Sequence, residues 1–254
     1  MKLTDKTRWR YDRKNWVGRH QIDAIKKRDE WLETLHRLLP RNDKKNYLEI
    51  GASPGIYTAS LVEKTPWSIT GIDYSDDADL FLANLDLVGK KASLIKADIF
   101  DLNIDEKFDI VCSFGLIEHF RGETLDKVFQ IHDSFATKGG FVVIQMPNFT
   151  GINYFWHYLF DRPDLDNHNI DAMQPSSLRW FENNGYEVIY NDYIGVLRLW
   201  GNSGWLNYKV LGKAVAGTAV FISFVVRFFD RLGFKFFRGR TWSPALLFVA
   251  KKIN

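Results

Sequence analysis

The feature that most constrains this chain is the alternation of short apolar runs with segments of helical periodicity. The runs have the composition of buried strands, and they are residues 47–50, 68–73, 93–98, 108–114, 141–146, 186–191 and 245–251. Strands that are apolar along their length and separated by helices form a largely parallel sheet covered on both faces. The sequence therefore predicts an α/β fold with a doubly wound, mostly parallel, seven-stranded sheet.

The segments between these runs predict helices at residues 20–39, 56–63, 77–87, 124–137 and 174–184. Gly139 and Gly140 are predicted to stop the fourth of them. The 254 residues are predicted to form a single domain. Its predicted parts are an N-terminal helical lid (1–44), a cofactor-binding core (45–195), a basic aromatic helical insertion (196–244) and the last strand (245–254).

Charge is distributed unevenly along the chain. Residues 196–254 carry ten Lys or Arg against one acidic residue, Asp230, whereas residues 32–195 carry fourteen against twenty-five. A basic, aromatic segment on an acidic body favours contact with an anionic surface, and solvated lysines around an ordinary helix are the alternative.

The single cysteine, Cys112, and a charged N-terminus without an apolar signal core favour a cytoplasmic location.

The basic insertion contains an uncharged stretch at residues 214–226 that is too short to span a bilayer, which requires about 20 residues. The stretch continues as an amphipathic pattern. Its apolar positions are Phe221, Phe224, Val225, Phe228, Phe229 and Leu232, opposite Ser223, Arg227, Asp230 and Arg231. This pattern is compatible either with packing on the domain or with a position in a membrane interface.

A glycine turn, YLEIGASPGIYTAS at residues 47–60, follows the first predicted strand. It lacks the GK[ST] of a phosphate-binding P-loop and the GxGxxG of a dinucleotide fold. Glu49 lies before the turn, and Asp73 ends the second strand, where a carboxylate can accept ribose hydroxyls. The spacing therefore favours S-adenosylmethionine, although glycines that merely pack a strand against a helix are the structural alternative.

In this arrangement the chain resembles the class I S-adenosylmethionine-dependent methyltransferases, which have a Rossmann-like sheet. The matching pieces are LEIGASPG (48–55), GIDYS (71–75), KADIFD (96–101), FDIVCSFGLIEHF (108–120) and KGGFVVIQMPN (138–148). Ser53 replaces a glycine that is common in the family, and Pro54 is an unusual neighbour.

The resemblance implies S-adenosylmethionine as the cofactor and assigns residues to it. Asp73 would bind the ribose, Asp98 the adenine amino group, and Ile99 the adenine ring. The remaining cofactor-binding residues would be Glu49, Gly51, Ala52, Ser53, Gly55, Tyr74, Ser113, Phe114 and Gly115.

The segment after the fourth strand bears on the methyl acceptor. It lacks the Asn/Asp-Pro-Pro-aromatic motif of amino-group methylases, and Cys112 lies in an apolar strand rather than in a loop. It contains Glu118 and His119 instead, a pair similar to one in many small-molecule O-methyltransferases. His119 could be a base, the pair could contact a divalent metal, or His119 could cap the following loop; no metal ligand is assigned.

The polar segment 161–175 is predicted to be a loop centred on His168. His168 is the first choice for the general base, because a carboxylate such as Asp166 or Asp171 could orient it and raise its basicity. An exposed loop histidine is the alternative.

Substrate contacts are predicted for Asn148, after the fifth strand, and for Trp16 and Arg19 of the lid. The remaining histidines are interpreted as structural; they are His20, His36, His132 and His157.

These observations predict an O-methyltransferase that acts on a lipid-linked or surface-glycan saccharide and contacts the membrane peripherally through residues 205–240. A looser similarity of the PNFTG, HN and GYEVIYNDYIG segments to methyltransferases of polysaccharide biosynthesis favours the same acceptor. A soluble apolar metabolite, of quinone or polyketide type, is the alternative acceptor. Nucleic acid is not expected as a partner, because the most apolar segment lies between the basic residues.

Overall fold

A computed structural model describes residues 16–102, 104–199 and 211–254 of the chain. Its strands form one seven-stranded sheet in the order β3-β2-β1-β4-β5-β7-β6. The strands are β1 (Asn46–Ile50), β2 (Ser68–Asp73), β3 (Ala92–Lys96), β4 (Phe108–Phe114), β5 (Ala136–Pro147), β6 (Tyr186–Ile194) and β7 (Ala245–Lys252). The sheet is mostly parallel, which confirms the predicted fold class.

The order and register of the strands place the carboxyl ends of β1 and β2 side by side. β1 pairs in parallel with both β2 and β4, with Glu49 opposite Gly71 on one side and opposite Cys112 on the other. β2 pairs in parallel with β3. Ligands of open α/β sheets bind outside these carboxyl ends, so the turns that follow β1 and β2 form the expected ligand position.

The helices that accompany the sheet are short, apart from the last. They are α1 (Arg19–Arg28), α2 (Glu30–Leu38), α3 (Ile56–Val62), α4 (Leu80–Asp86), α5 (Glu123–Phe135), α6 (Gly151–Phe160), α7 (Arg162–Asp166), α8 (Arg179–Asn183) and α9 (Leu211–Arg231). Two 3₁₀ helices lie at Ile117–His119 and Pro175–Leu178. No helix among the residues that the structure describes is both long enough and apolar enough to cross a membrane.

The structure corrects four of the predicted elements. The helix at 20–39 is divided by Asp29, whose extended backbone (φ −102°, ψ 99°) ends α1 and begins α2, because aspartate is disfavoured in helix interiors. The helix at 124–137 ends two residues early. β5 begins at Ala136 and contains Gly139 and Gly140, and a Cβ on Gly140 would lie 3.0 Å from the Asp109 carbonyl oxygen.

The other two corrections concern the segment that follows α6. The predicted loop at 161–175 contains α7, and the predicted helix at 174–184 is a 3₁₀ turn followed by the short helix α8. Pro175 begins that 3₁₀ turn, a position where its missing N–H is tolerated.

The chain divides into two compact units. The first contains the described residues of Met1–Phe114, together with Gln130–Val143 and Lys251–Asn254. Its core includes Tyr47, Leu48, Ile50, Ile72, Phe81, Phe108 and Ile110, all completely or almost completely buried. The apolar runs of β1, β2 and β4 supply most of these side chains, as expected for strands covered on both faces.

The second unit contains Gly115–Phe129 and the described residues of Ile144–Ala250. Phe181 lies at its centre and contacts Phe129, Tyr186 and Phe248 through ring centroids 5.2–5.4 Å apart. Two smaller apolar clusters support the site described below. One is built on Phe149, Leu165 and Met173, and the other on Leu197, Leu199, Ala219 and Val226.

Helix α9 packs in the second unit through its less apolar side. Ser223 is only 2% exposed and accepts a hydrogen bond from the Leu199 amide, and buried Asp230 pairs with Arg238 and Lys235. The aromatic side that the sequence predicts is the exposed one, with Phe221 66% exposed and Phe224 64% exposed. These phenylalanines therefore do not pack on the described part of the domain.

Candidate active site

The turn after β1 is shaped by two glycines in the left-handed region, Gly51 (φ 71°) and Gly55 (φ 77°). The amides of Gly51 and Ala52 both donate to the Ile72 carbonyl oxygen, at 2.9 and 3.0 Å, which fixes the turn to the end of β2. L-residues with a side chain rarely adopt this backbone conformation, so glycine is required at both positions.

Gly55 is also required by packing. A Cβ at this position would lie 2.6 Å from Phe81 Cδ2 and 2.9 Å from Phe81 Cα on helix α4. Gly55 therefore has the packing role that was the alternative to ligand binding, because it allows the turn to approach α4. If Gly55 also contacts the cofactor, it does so through its backbone atoms.

Asp73 at the end of β2 faces this turn. Its Oδ2 accepts the Ser53 amide at 2.9 Å, and its Oδ1 accepts the Ser75 amide at 2.7 Å. The Ser53 hydroxyl donates to the Asp77 carbonyl oxygen, so that Ser53 completes the link between the two turns. A carboxylate offers about four acceptor sites, so one site on each oxygen remains for two hydroxyl groups of a ribose.

Glu49 lies inside the first unit and not at an exposed strand tip. It is 3% exposed, and its Oε2 accepts the hydroxyl of Thr58, which is also hydrogen-bonded to the Tyr47 hydroxyl. Burial raises the pKa of Glu49 well above its usual value, and the hydrogen bond from Thr58 opposes this shift. The carboxyl group is therefore part of a buried network behind the turn.

Replacing Glu49 with glutamine should change how stability depends on pH. Because the folded state raises the pKa of Glu49, its stabilising contribution is complete below the unfolded pKa of about 4.5 and declines as pH rises toward the folded pKa. We expect Glu49→Gln to raise the melting temperature of the ligand-free protein at pH 8 and to leave it nearly unchanged at pH 4.5. Differential scanning fluorimetry across this range measures the effect. The exposed Glu106→Gln is the control, and equal behaviour of the two variants would contradict the buried-acid account.

The remaining residues assigned to the cofactor lie at the ends of β3 and β4 and after β2. Asp98 is half-buried and accepts the Phe100 amide, Ile99 is half-buried, and Tyr74 is exposed. The Ser113 hydroxyl is completely buried and hydrogen-bonded to His132 Nε2 at 3.0 Å, so its side chain is engaged within the unit. This contact gives His132 the structural role that the sequence predicted.

An aromatic group stands beside the end of β4. The rings of Phe114, Trp31 and Tyr57 lie with centroids 5.2–5.9 Å apart. Trp31 belongs to α2 and Tyr57 to α3, and this contribution was not predicted from the sequence.

The predicted lid residues lie at the start of the described chain. The Trp16 carbonyl oxygen accepts the amide of buried Asn84, whose side chain also donates to the Pro54 carbonyl oxygen at 2.8 Å. Arg19 forms an ion pair with Glu63 and donates to the Leu87 carbonyl oxygen. The first fifteen residues of the predicted lid lie outside the described residues.

In the second unit, Glu118, His119 and His168 come together. Glu118 and His119 lie in the 3₁₀ helix after β4, and His168 follows α7. One carboxylate oxygen and one nitrogen from each imidazole all lie within 4.8 Å of one another, and the two imidazole centroids are 4.6 Å apart. The three candidate catalytic residues predicted from separate parts of the sequence thus form one cluster, here called the EHH cluster.

Backbone hydrogen bonds hold the two segments of the EHH cluster together. The Asn169 amide donates to the Glu118 carbonyl oxygen at 2.6 Å, and the Asn169 side chain donates to the Phe120 carbonyl oxygen at 2.7 Å. Arg121 donates to the His168 carbonyl oxygen at 2.9 Å. Through these bonds, Asn169 and the backbone of His168 position the segment 161–175 against the 3₁₀ helix that contains Glu118 and His119.

Burial dominates the electrostatics of the EHH cluster. It raises the pKa of Glu118 to about 8, with the charge of Asp164 adding to the shift, and it lowers the pKa of His168 to about 3. The pKa of His119 is lowered for the same reason. The prediction that a carboxylate makes His168 more basic is therefore wrong, because desolvation outweighs the hydrogen bond to the Asp164 backbone, which alone raises the pKa. Asp166, one of the predicted partners, pairs with Arg162 instead.

A second buried group lies beside the EHH cluster and was missed in the sequence. Asp164 Oδ1 is 3.9 Å from His168 Nδ1, and Asp164 Oδ2 is 3.8 Å from His157 Nδ1. Asp161 completes this group, and the Phe149 ring contacts the rings of both His157 and His168. Residues 157, 161, 164 and 168 follow the i, i+4, i+7, i+11 spacing of a helix, which was the available signal.

Asn148 has a structural role in the second unit. It is completely buried, and its side-chain amide donates to the carbonyl oxygens of Arg240 and Ser243. Its side-chain oxygen accepts from both the amide and the hydroxyl of Thr150. Asn148 thus ties the end of β5 to the segment before β7, which argues against its predicted contact with the acceptor.

The fold and the first unit's turn define a class of protein. A doubly wound sheet, a left-handed glycine turn after β1 and a carboxylate held at the end of β2 suit a ligand with an adenosyl ribose and no phosphate. The remaining acceptor capacity of Asp73 fits the ribose of S-adenosylmethionine. This is the class of S-adenosylmethionine-dependent methyltransferases.

Comparison with known proteins agrees with this class. A family model described as "Methyltransferase domain" matches residues 22–197. Since the match covers more than half of the chain, this protein belongs to the methyltransferase-domain family, and it is an S-adenosylmethionine-dependent methyltransferase. No curated protein matches the chain in sequence.

Solved structures share the fold at low sequence identity. A SAM-dependent methyltransferase from Archaeoglobus fulgidus is 19% identical over 91% of this chain and 94% of its own, with a TM-score of 0.54. One from Geobacter sulfurreducens, in complex with S-adenosylhomocysteine, is 18% identical over 91% and 97%, with a TM-score of 0.54. A Burkholderia thailandensis 1,6-didemethyltoxoflavin-N1-methyltransferase is 11% identical over 88% and 76%, with a TM-score of 0.52.

Proposed function

We propose that this methyltransferase methylates a hydroxyl group of a lipid-linked or surface-glycan saccharide at the cytoplasmic face of a membrane. The observation that carries the membrane part is the exposed aromatic side of α9. The EHH cluster supports the choice of a hydroxyl acceptor, because O-methylation requires a group that helps to remove the hydroxyl proton.

S-Adenosylmethionine supplies a methyl group that passes to the acceptor oxygen as the carbon–sulfur bond breaks, and S-adenosylhomocysteine leaves with the electron pair. In this scheme Asp73 binds the ribose hydroxyls, and the Gly51 turn holds the ligand through its backbone. The EHH cluster assists loss of the acceptor's hydroxyl proton. Since such transfer is an in-line displacement, the protein contributes mainly alignment and proton removal.

Cytosine methylation through a cysteine is disfavoured by the environment of the only cysteine. Cys112 is completely buried in β4, and burial raises the pKa of its thiol well above the usual value. A reactive thiolate requires the opposite, namely an accessible position and a lowered pKa. This argues against methylation of cytosine through a covalent cysteine intermediate.

The membrane-facing surface proposed for this protein consists of exposed apolar side chains on α9 and just after it, here called the aromatic face. Its members are Val220, Phe221, Phe224, Phe228, Phe229, Leu232, Phe234 and Phe236. Arg227, Arg231 and Lys235 are also exposed on this segment, whereas Asp230, the only acidic residue in 196–254, is buried. Exposed aromatic residues with basic neighbours suit the headgroup region of an anionic bilayer.

Two glutamates on the aromatic face should release the protein from membranes. Burying one phenylalanine in an apolar environment contributes about 1.5–3 kcal/mol, so Phe221→Glu with Phe228→Glu should weaken binding to anionic vesicles at least about 100-fold. Co-sedimentation with phosphatidylglycerol vesicles measures this loss. Leu87→Glu, at an exposed apolar position of the first unit, is the control and should bind as the unmodified protein does. Equal binding by all three proteins would contradict a membrane role for the aromatic face.

The acceptor can be identified with a labelled methyl donor. Lipid-linked and soluble extracts are incubated separately with the protein and S-adenosylmethionine carrying an isotopically labelled methyl group, and the products are analysed by mass spectrometry. We expect the label in a methyl ether of a lipid-linked saccharide. Label confined to a soluble apolar metabolite would instead support a quinone or polyketide acceptor, and label on nitrogen or carbon would contradict O-methylation.

A further inference from the structure

The EHH cluster contains the kinds of ligand atoms that a divalent transition metal prefers. Two imidazoles and one carboxylate form the protein ligand set of several catalytic zinc sites and of facial iron(II) sites. The possible ligand atoms of Glu118, His119 and His168 lie within 4.8 Å of one another. They come from two segments 49 residues apart in sequence that are fixed to each other by the hydrogen bonds of Asn169 and Arg121.

Glu118 supplies an independent indication of a ligand. Its side chain is 1% exposed, and its buried Oε2 has no hydrogen-bond partner among the residues that the structure describes. An unsatisfied buried carboxyl oxygen costs about 1–3 kcal/mol or more, so native proteins rarely retain one without a reason. A Cβ on Gly115 would meet only Glu118 Oε1, at 3.5 Å, so the space beside this carboxyl group is open at Gly115.

Ring nitrogens of both histidines contact backbone carbonyl oxygens. His168 Nδ1 donates to the Asp164 carbonyl oxygen, and His119 Nδ1 lies 3.4 Å from the Asn167 carbonyl oxygen. For His168, a hydrogen bond from Nδ1–H to a carbonyl oxygen is a supporting contact that metal-binding histidines commonly make. Both rings are thereby positioned by the backbone of the segment 164–168.

The charges around the EHH cluster also favour a cation. Asp161 and Asp164 are buried next to it, and Asp164 lies between His157 and His168. Arg121 donates a hydrogen bond to the His168 carbonyl oxygen. A bound cation would place positive charge beside these two buried carboxylates.

We propose that Glu118, His119 and His168 bind a divalent first-row transition-metal cation, of which Zn²⁺ is the simplest example. The binding itself is independent of the acceptor proposed above. Its role rests on the proposed function: a bound cation lowers the pKa of a coordinated hydroxyl group, and O-methylation requires loss of that proton.

Cobalt provides a direct test, because Co²⁺ replaces Zn²⁺ in such sites and absorbs visible light. The full-length protein is treated with a chelator, dialysed and titrated with CoCl₂, first without S-adenosylmethionine or an acceptor. We expect one equivalent to produce ligand-field bands in the visible spectrum, and ZnCl₂ to abolish them. The absence of a saturable band on the unmodified protein, with no heat of Zn²⁺ binding in calorimetry, would overturn the proposal.

Matched variants locate the site. Glu118→Gln preserves shape and should lower Zn²⁺ affinity about 100-fold, as should His168→Asn, since removing a ligand costs at least as much as removing its supporting hydrogen bond. Glu123→Gln, at an exposed position in the first turn of α5, should bind Zn²⁺ as the unmodified protein does. Circular dichroism shows which variants are folded. Unchanged affinity in a folded Glu118→Gln or His168→Asn protein would place the metal elsewhere and overturn the assignment.

The two proposals fail in different ways. Zn²⁺ binding without methyl transfer to any hydroxyl would support the metal site and contradict the proposed function. Methyl transfer to a hydroxyl by a protein that binds no Zn²⁺ or Co²⁺ would support the proposed function and overturn the metal site. If both hold, chelation should abolish transfer, and Zn²⁺ should restore it.

Discussion

Asp73→Asn should weaken the binding of S-adenosylmethionine at least about 100-fold. The carboxylate is held by the amides of Ser53 and Ser75, and its remaining acceptor sites suit the two ribose hydroxyls. Hydrogen bonds to a charged acceptor contribute about 1.5–3 kcal/mol each, so weakening two of them costs at least about 3 kcal/mol. Isothermal titration calorimetry with S-adenosylhomocysteine measures the loss without turnover.

The control for this substitution lies three residues away. Asp76 is exposed, and Asp76→Asn makes the same change in charge. Its affinity for S-adenosylhomocysteine should stay within about twofold of the unmodified protein, because exposed charges are well screened. Melting temperatures of both variants separate a binding defect from loss of the Ser53 and Ser75 contacts. Equal affinities in folded Asp73→Asn and Asp76→Asn proteins would contradict the ribose-binding role of Asp73.

Gly55→Ala should destabilise the protein by about 2–5 kcal/mol. A side chain in the left-handed conformation costs about 1–2 kcal/mol, and forcing a methyl group against a packed neighbour costs about 1–3 kcal/mol. Here the neighbour is Phe81, and its Cα belongs to the backbone of α4, so a rotation of the ring alone cannot relieve the contact. Chemical denaturation of the ligand-free protein measures the free energy of unfolding.

Gly89→Ala distinguishes the conformational cost of a side chain in the left-handed region from the steric cost of contact with a neighbour. Gly89 has a similar backbone conformation (φ 70°), but a Cβ there would meet nothing within 4 Å. We therefore expect Gly89→Ala to cost only the conformational part, about 1–2 kcal/mol. If the two alanine variants were equally stable, the approach of the turn to α4 would not be what requires glycine at position 55.

The sheet could be predicted from the sequence because its strands are buried on both faces and are therefore apolar throughout. The predicted bounds of 68–73 and 108–114 agree with β2 and β4. The glycine turn and Asp73 could also be predicted, because a tight turn requires glycine and a ligand-binding strand end requires a polar residue. Helix ends were less predictable, because Asp29 and the early start of β5 depend on tertiary packing.

The environment of the candidate site was harder to predict. The polar composition of 161–175 indicated a loop, yet the chain there forms α7 and buries His168, so desolvation rather than a carboxylate sets its pKa. Sequence spacing within one segment cannot show that Glu118 and His119 meet a histidine 49 positions later. In α9 the periodicity located the aromatic side correctly but could not show which side is buried.

In α9, the residues that attach the helix to the protein differ from the residues that form its exposed apolar surface. Its attachment to the second unit depends on Ser223, Val226 and Asp230, whereas its aromatic face contributes little to the packing of the described chain. The packing of the described residues therefore places little constraint on the composition of that face. A lineage could alter it to suit a different surface, or lose it altogether, and the cofactor turn of the first unit would be left intact.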